Sequence, residues 1–177
     1  SLERGWAVMA VSSENREHKC WSGRKDAERI RTAYEKVREA TGARDRVAAI
    51  GASSGGGMAA YLATVWPGLA AISQIMPAGD LKSLDSPIRF VHMRRDSHRA
   101  NIIHKQVALL KDRGIDAEEL VVDPEPIDAE VFWNRDCPAL PRTLGEELVA
   151  QFKEDGIIDD QGTIREDPRK YDSWRES

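Results

Sequence analysis

The stretch from Arg46 to Thr64 constrains the fold of this chain more than any other feature. A short apolar run at residues 47–50 meets the sequence Gly51-Ala52-Ser53-Ser54-Gly55, and an Ala-rich segment of helix-forming composition follows at once. A serine held on a sharp, strained turn needs neighbours without a Cβ two residues before and after it, so that strand and helix can approach closely. This pattern is typical of a nucleophile elbow, which exposes a serine hydroxyl beside the free N–H groups of a helix N-terminus.

The glycine-rich stretch has two alternative interpretations, a flexible loop and a phosphate-binding turn. Glycine is common, so the G-x-S-x-G pattern by itself is weak. No G-K-[ST] follows the turn and no G-x-G-x-x-G precedes the helix, which disfavours a nucleotide site. The position of the pattern between an apolar strand and a helix therefore favours the elbow.

Composition restricts the class of protein. A chain of 177 residues with 41% hydrophobic and 32% charged residues is expected to form one soluble globular domain over 1–177. Its net charge of −4 gives no support for nucleic-acid binding, and no apolar run approaches the length of a transmembrane segment. The two cysteines, Cys20 and Cys137, are interpreted as free thiols of a reducing intracellular compartment, with a single disulfide as the alternative.

Strand and helix patterns alternate along the first two thirds of the chain. Buried strands are predicted at 5–11, 47–50, 69–76, 87–93 and 119–122, with helices at 26–41, after the elbow, and at 97–113. This alternation predicts a three-layer α/β fold with a mainly parallel sheet over residues 1–123. Residues 124–177 are expected to form an irregular Pro-rich segment, a short helix at 144–153, a turn at 159–162 and a charged tail.

Over residues 5–123 the sequence resembles the α/β-hydrolase superfamily. The resemblance rests on the strand at 5–11 with its helix, on the elbow, and on residues 87–96, Pro-Ile-Arg-Phe-Val-His-Met-Arg-Arg-Asp, which look like the late strand that ends in an acidic triad member. By position it implies Ser53 as nucleophile, Asp96 as acid, and the backbone N–H of Ser54 as an oxyanion donor. It implies neither a cofactor nor a metal.

The sequence departs from that family at its N-terminal end. The second oxyanion donor of the family comes from a loop after a strand that should precede residue 5, and the N-terminal strands are absent from this chain. The family places the missing strand between the two strands with which this chain begins. We therefore expect residues upstream of Ser1, or another segment, to occupy that place.

The second departure from the family concerns the catalytic base. The family's histidine follows the last strand, but no histidine occurs from Lys105 onward. The four that exist are His18 in a polar loop, His92 within a strand, His98 at a helix start, and His104 further along that helix. His98 is the best candidate base because it lies two residues after Asp96. The alternatives are a surface histidine at position 98 and a helix N-cap at Asp96.

Two functions follow from these features. The first is a serine hydrolase acting on carboxylic esters or thioesters, with a small-molecule acyl substrate. The second is a catalytically degenerate member of the same fold that serves as a binding or structural subunit of a larger assembly, as loss of the histidine predicts. In that case the five tryptophans and the segment around Phe132 and Trp133 would contact protein partners.

Overall fold

The structure is a computed structural model that describes residues 7–15, 17, 20–43, 46–74, 79, 81–132 and 141–167. Its elements, in chain order, are helix α1 (Gly23–Thr41), strand β1 (Ala48–Ala52), helix α2 (Ser54–Val65), strand β2 (Ala70–Gln74), strand β3 (Ile88–Met93), helix α3 (Ser97–Asp112), strand β4 (Ala117–Val122) and helix α4 (Arg142–Glu154). A 3-10 turn at Ala129–Phe132 precedes α4.

The four strands form one sheet in the order β1-β2-β3-β4. β1 pairs with β2 in parallel, with Ile50 opposite Ile72, and β2 pairs with β3 in parallel, with Ile72 opposite Arg89. Two backbone hydrogen bonds join the segments of β3 and β4, from Ile88 N to Asp116 O (3.0 Å) and from Arg94 N to Val122 O (2.9 Å). The residue numbers of both pairs differ by the same amount, so β4 runs parallel to β3. The predicted three-layer α/β class with a mainly parallel sheet is confirmed.

The strand predicted at residues 5–11 is wrong for the residues that the structure describes. Residues 7–13 adopt neither helix nor strand, and Val8 is 74% exposed. Met9 and Val11 nevertheless pack against the core. The apolar run correctly predicted that these residues are partly buried. A strand also needs a neighbouring strand for its backbone hydrogen bonds, and among the described residues β1 pairs with β2 alone.

Helix α1 begins three residues earlier than predicted and ends where expected. Gly42 takes the left-handed conformation, with φ of 65°, and its N–H donates to Arg38 O at 2.9 Å. This is the geometry that glycine tolerates at a helix C-terminus and that other residues adopt at a cost. The helix buries Ala27 and Ile30 against the core.

The core lies among α1, α2, α3 and the sheet. Its most fully buried side chains are Phe90, Leu69, Leu84, Ile88, Ile103 and Leu110. Helix α2 adds Met58, Leu62 and three alanines, and small side chains let its backbone lie close to the strands. The turn between β1 and α2 therefore joins a strand and a helix that both contribute to the core.

The chain divides into two compact units, Ser1–His92 with Asn101–Leu120, and Met93–Ala100 with Val121–Ser177. The core, β1 and α2 belong to the first. In the second, α4 confirms the predicted short helix, and Ile158 and Ile164 form an antiparallel bridge around the predicted turn. In that turn Asp159 Oδ1 accepts hydrogen bonds from Gln161 N (3.0 Å) and Thr163 N (2.8 Å). The expectation that residues 1–177 form a single domain stays a prediction.

None of the helices in the described part of the chain has the length and apolar content needed to cross a bilayer. Cys20 is an exposed free thiol, whereas Cys137, Trp133 and the charged tail after residue 167 lie outside the described residues.

Candidate active site

Ser53 sits at the turn between β1 and α2 in a strained backbone conformation. Its φ is 51° and its ψ is −125°, and it is the only residue other than glycine with a positive φ in the described ranges. Such a conformation costs on the order of 1–3 kcal/mol and persists only where the surrounding structure imposes it. The side chain is exposed, and its hydroxyl has no hydrogen-bond partner among the described residues.

The glycine before the serine is required sterically. A Cβ on Gly51 would lie 2.0 Å from the carbonyl oxygen of Gly55 and 2.8 Å from the amide nitrogen of Gly56, both backbone atoms. The close approach of strand and helix that the sequence predicts therefore occurs at Gly51. Gly55 differs, because a Cβ there would meet only the Trp21 side chain, with Nε1 at 3.4 Å.

The N-terminus of α2 supplies donors for a developing negative charge. Ser54 is the first residue of the helix, and the first intrahelical bond runs from Gly57 N to Ser53 O at 3.2 Å. The N–H groups of the first turn have no acceptor within the helix, and the helix dipole favours an anion there. No acidic residue occupies that turn. The Ser54 N–H thus has the surroundings that the predicted oxyanion role requires.

Asp96 is the N-cap of α3. Its Oδ1 accepts a hydrogen bond from Arg99 N at 3.1 Å, and its Oδ2 lies 3.0 Å from Arg99 Nη1. Its backbone carbonyl accepts the first helical bond, from Ala100 N at 2.9 Å. Both carboxylate oxygens therefore contact Arg99, and the cap interpretation describes this residue well.

His98 is an exposed residue in the first turn of α3 and has no hydrogen-bond partner among the described residues. No hydrogen bond joins it to Asp96 in that part of the chain. Asp96 and His98 belong to the second compact unit, whereas Ser53 and Ser54 belong to the first. His18 lies outside the described residues.

The other two described histidines share one carboxylate. His92 is 2% exposed, with its Nε2 2.7 Å from Glu119 Oε1, and the exposed His104 places Nδ1 3.3 Å from Glu119 Oε2. Burial raises the pKa of Glu119, but hydrogen bonds from the two imidazoles outweigh it and hold that pKa below its ordinary value. These histidines join β3 and α3 to β4.

Arg94, the first residue after β3, is also paired with a carboxylate. Arg94 forms an ion pair with Asp123, with its Nη2 3.2 Å from Asp123 Oδ2. This hydrogen bond holds the pKa of the Asp123 carboxyl below its ordinary value. No group of three or more His, Cys, Asp or Glu side chains suited to a metal ion occurs within the described ranges.

Two residues that sequence reasoning missed lie beside the elbow or its cavity. Trp21 contacts the position of Gly55. Tyr34 lines a cavity of about 360 Å³ that also reaches Gly51, Ala52 and Gly55. In the sequence Tyr34 is one of the apolar positions of α1 and gives the same signal as a core residue, and Trp21 is an isolated aromatic in a polar loop. Only their tertiary contacts distinguish them.

Two solved structures resemble this chain in fold at low sequence identity. The crystal structure of esterase PE8 aligns with a TM-score of 0.47 and 19% identity, over 71% of this chain and 61% of that one. A dienelactone hydrolase-like promiscuous phosphotriesterase from metagenomic libraries aligns with a TM-score of 0.42 and 17% identity, over 75% of this chain and 62% of that one. The aligned part thus spans about three fifths of each of those structures.

No protein-family model matches the chain, and no curated protein matches it. Since both TM-scores lie below 0.5, the functional proposal rests on Ser53 and its surroundings.

Proposed function

We propose that this protein is a serine hydrolase of carboxylic esters or thioesters, with Ser53 as its nucleophile. The observation that carries the proposal is the positive φ of Ser53 on the turn between β1 and α2. Glycine would adopt this conformation at little cost, whereas serine adopts it under strain. A hydroxyl kept at a strained and exposed position beside a helix N-terminus is best explained by its use in chemistry.

The reaction follows from these positions. Ser53 Oγ attacks the carbonyl carbon of the substrate while its proton passes to a base, and the carbonyl electron pair becomes an oxyanion. The Ser54 N–H and the N-terminus of α2 stabilise that charge. Collapse of the tetrahedral species breaks the bond to the alcohol or thiol, which leaves with a proton from the base. Water then hydrolyses the acyl-serine ester by the same two steps.

His98 is the proposed base and Asp96 the proposed acid that orients it. An exposed imidazole without a partner among the described residues is available to accept a proton. Both carboxylate oxygens of Asp96 contact Arg99, and each oxygen can accept a second hydrogen bond, so Asp96 would orient the imidazole while it keeps the helix cap.

A second candidate function is a catalytically degenerate fold that acts as a binding or structural subunit. It is favoured by the Ser53 hydroxyl, which has no base as a hydrogen-bond partner in the described ranges, and by the engagement of Asp96 with Arg99. A serine without a base is a weak nucleophile near neutral pH.

Hydrolysis of p-nitrophenyl butyrate and of a butyryl thioester tests the proposal. Turnover by the wild-type chain is expected to fall at least about a hundredfold in Ser53→Ala. Ser54→Ala is the matched control, because it changes the adjacent side chain and keeps the backbone N–H. Loss of turnover in His98→Gln and Asp96→Asn would assign base and acid. Turnover that survives Ser53→Ala contradicts the proposal, and a folded wild-type chain without turnover favours the second function.

A further inference from the structure

We propose that Trp21 is a positioning residue of the elbow, and that the buried carboxylate of Asp26 holds Trp21 in place. The indole ring restrains the first turn of α2, which carries the N–H groups beside Ser53. The expected effect on the reactivity of Ser53 rests on the proposed function, whereas the expected effect on the backbone of the turn does not.

The indole of Trp21 is a neighbour of the first helical turn after Ser53. A Cβ on Gly55 would lie 3.4 Å from Nε1 and 3.9 Å from Cδ1 of Trp21. The turn can therefore shift toward the indole by no more than about one carbon–carbon bond length, roughly 1.5 Å, before it meets the ring. Toward β1 the same turn meets Gly51, where a Cβ would lie 2.0 Å from Gly55 O. Gly55 thus has a neighbour that limits its movement in each of these two directions.

The segment 21–23 contacts α2 at more than one point. Two residues after Trp21, a Cβ on Gly23 would lie 3.5 Å from the ring of Tyr61. Gly55 and Tyr61 are nearly two turns apart on α2. Trp21 is also partly buried against the core. The indole therefore belongs to the packed structure between α1 and α2, which gives it a defined position.

Asp26 fixes the residue that follows the indole. Its Oδ2 accepts the backbone N–H of Ser22 at 2.7 Å, and its own N–H donates to Ser22 O at 2.9 Å. Its Oδ1 accepts the N–H of Glu14 at 3.1 Å and lies 2.9 Å from Nη2 of Arg29. Asp26 is 0% exposed, so loss of these bonds is not compensated by water. The carboxylate therefore sets the backbone position of Ser22, and with it that of the adjacent Trp21.

The restraint acts on a strained residue. Ser53 has a φ of 51°, and such a backbone conformation persists only where the surrounding structure imposes it. Removal of the indole would let the first turn of α2 move, and the N–H groups proposed to stabilise the oxyanion would move with it. We therefore expect substitution of Trp21 to slow reaction at Ser53 although the serine itself is unchanged.

NMR spectra of the folded full chain measure the turn without any chemistry. The three-bond coupling between the amide and α protons of Ser53 reports its φ. We expect this coupling to change in Trp21→Ala and, by a smaller amount, in the milder Trp21→Phe. Trp66→Ala is the matched control, because it also removes a partly buried tryptophan, at the opposite end of α2. The control should leave the Ser53 coupling as in wild type.

The rate of labelling by a fluorophosphonate measures the effect on chemistry. Trp21→Ala should lower this rate at least about tenfold, since a misplacement of about 1 Å can cost on the order of a hundredfold. Asp26→Asn should lower the rate by a smaller factor. In the Trp21→Ala background Asp26→Asn should lower it no further, because the carboxylate acts through the indole. Trp66→Ala should be labelled at the wild-type rate.

An unchanged Ser53 coupling in both Trp21 variants would overturn the restraint. A changed coupling with an unchanged labelling rate would overturn its effect on reactivity, and independent effects of Asp26→Asn and Trp21→Ala on that rate would overturn the anchoring by Asp26. A changed coupling in a folded chain that the fluorophosphonate does not label would support the restraint and contradict the proposed function, so the two fail separately.

Discussion

Gly51→Ala is the substitution whose effect the structure defines most sharply. The added Cβ would lie 2.0 Å from the carbonyl oxygen of Gly55 and 2.3 Å from its carbonyl carbon. Carbon and oxygen in even a close non-bonded contact stay about 3.3 Å apart, so the overlap exceeds 1 Å. The contacted atoms are backbone atoms in the first turn of α2, and relief therefore requires the helix N-terminus to move away from β1.

Overpacking of a core costs about 1–3 kcal/mol and occasionally more, and a clash between two backbone segments belongs at the upper end. We expect Gly51→Ala to lower the free energy of unfolding by about 3 kcal/mol, which for a chain of this size lowers Tm by roughly 6–12 °C. Circular dichroism during thermal and urea unfolding measures both quantities.

Gly55→Ala is the matched control, because the same methyl group four residues later meets only the Trp21 side chain, with Nε1 at 3.4 Å. That contact is ordinary, and alanine is favoured over glycine within a helix by about 1 kcal/mol. The control should leave stability within about 1 kcal/mol of wild type. If Gly51→Ala is as stable as Gly55→Ala, the backbones of β1 and α2 do not approach each other closely at Gly51.

Three further substitutions test the surroundings of the site. Ser53→Gly should be more stable than Ser53→Ala by about 1 kcal/mol in urea unfolding, because glycine relieves the strain of a positive φ; equal stabilities would refute the strain. Glu119→Gln should destabilise the chain at pH 7. Because the pKa of Glu119 is lowered in the folded state, the stability gap from wild type should hold above about pH 5 and shrink as pH falls below about 4; a gap that widens in acid would contradict the pairing with His92 and His104. Asp26→Asn should cost about 2 kcal/mol in thermal unfolding, because the buried Asp26 carboxylate accepts hydrogen bonds from Ser22 N at 2.7 Å and Glu14 N at 3.1 Å, and a change below about 0.5 kcal/mol would contradict these contacts.

Sequence patterns predicted the helices and four of the five strands because periodicity reports which face of a segment is buried. The αL end of α1 at Gly42 and the turn at 159–162 followed from local residue chemistry in the same way. The segment at 5–11 shows the limit of this reasoning. Its apolar residues predict burial, which Met9 and Val11 partly achieve, but no local pattern states whether a partner strand lies alongside.

At the site, the sequence predicted a steric need for glycine at both 51 and 55, and the structure shows it at Gly51 only, because a Cβ on Gly55 would have room. It did not predict that Gly55 faces Trp21, since that contact joins a polar loop to a helix far along the chain. The pairing of Asp96 with Arg99 had a usable signal, because residues three apart at a helix start lie on one face. The sharing of Glu119 by two histidines depends on how β3 and α3 pack against β4, and the sequence carries no local signal of it.

The central claim is that Ser53 is an activated nucleophile. Reaction of the folded full chain with a fluorophosphonate, followed by peptide mass spectrometry, tests it most directly. We expect a single phosphonyl adduct on Ser53 that is absent from Ser53→Ala and retained in Ser54→Ala. A folded wild-type chain that acquires no adduct, or one that acquires it on a different serine, would contradict the claim.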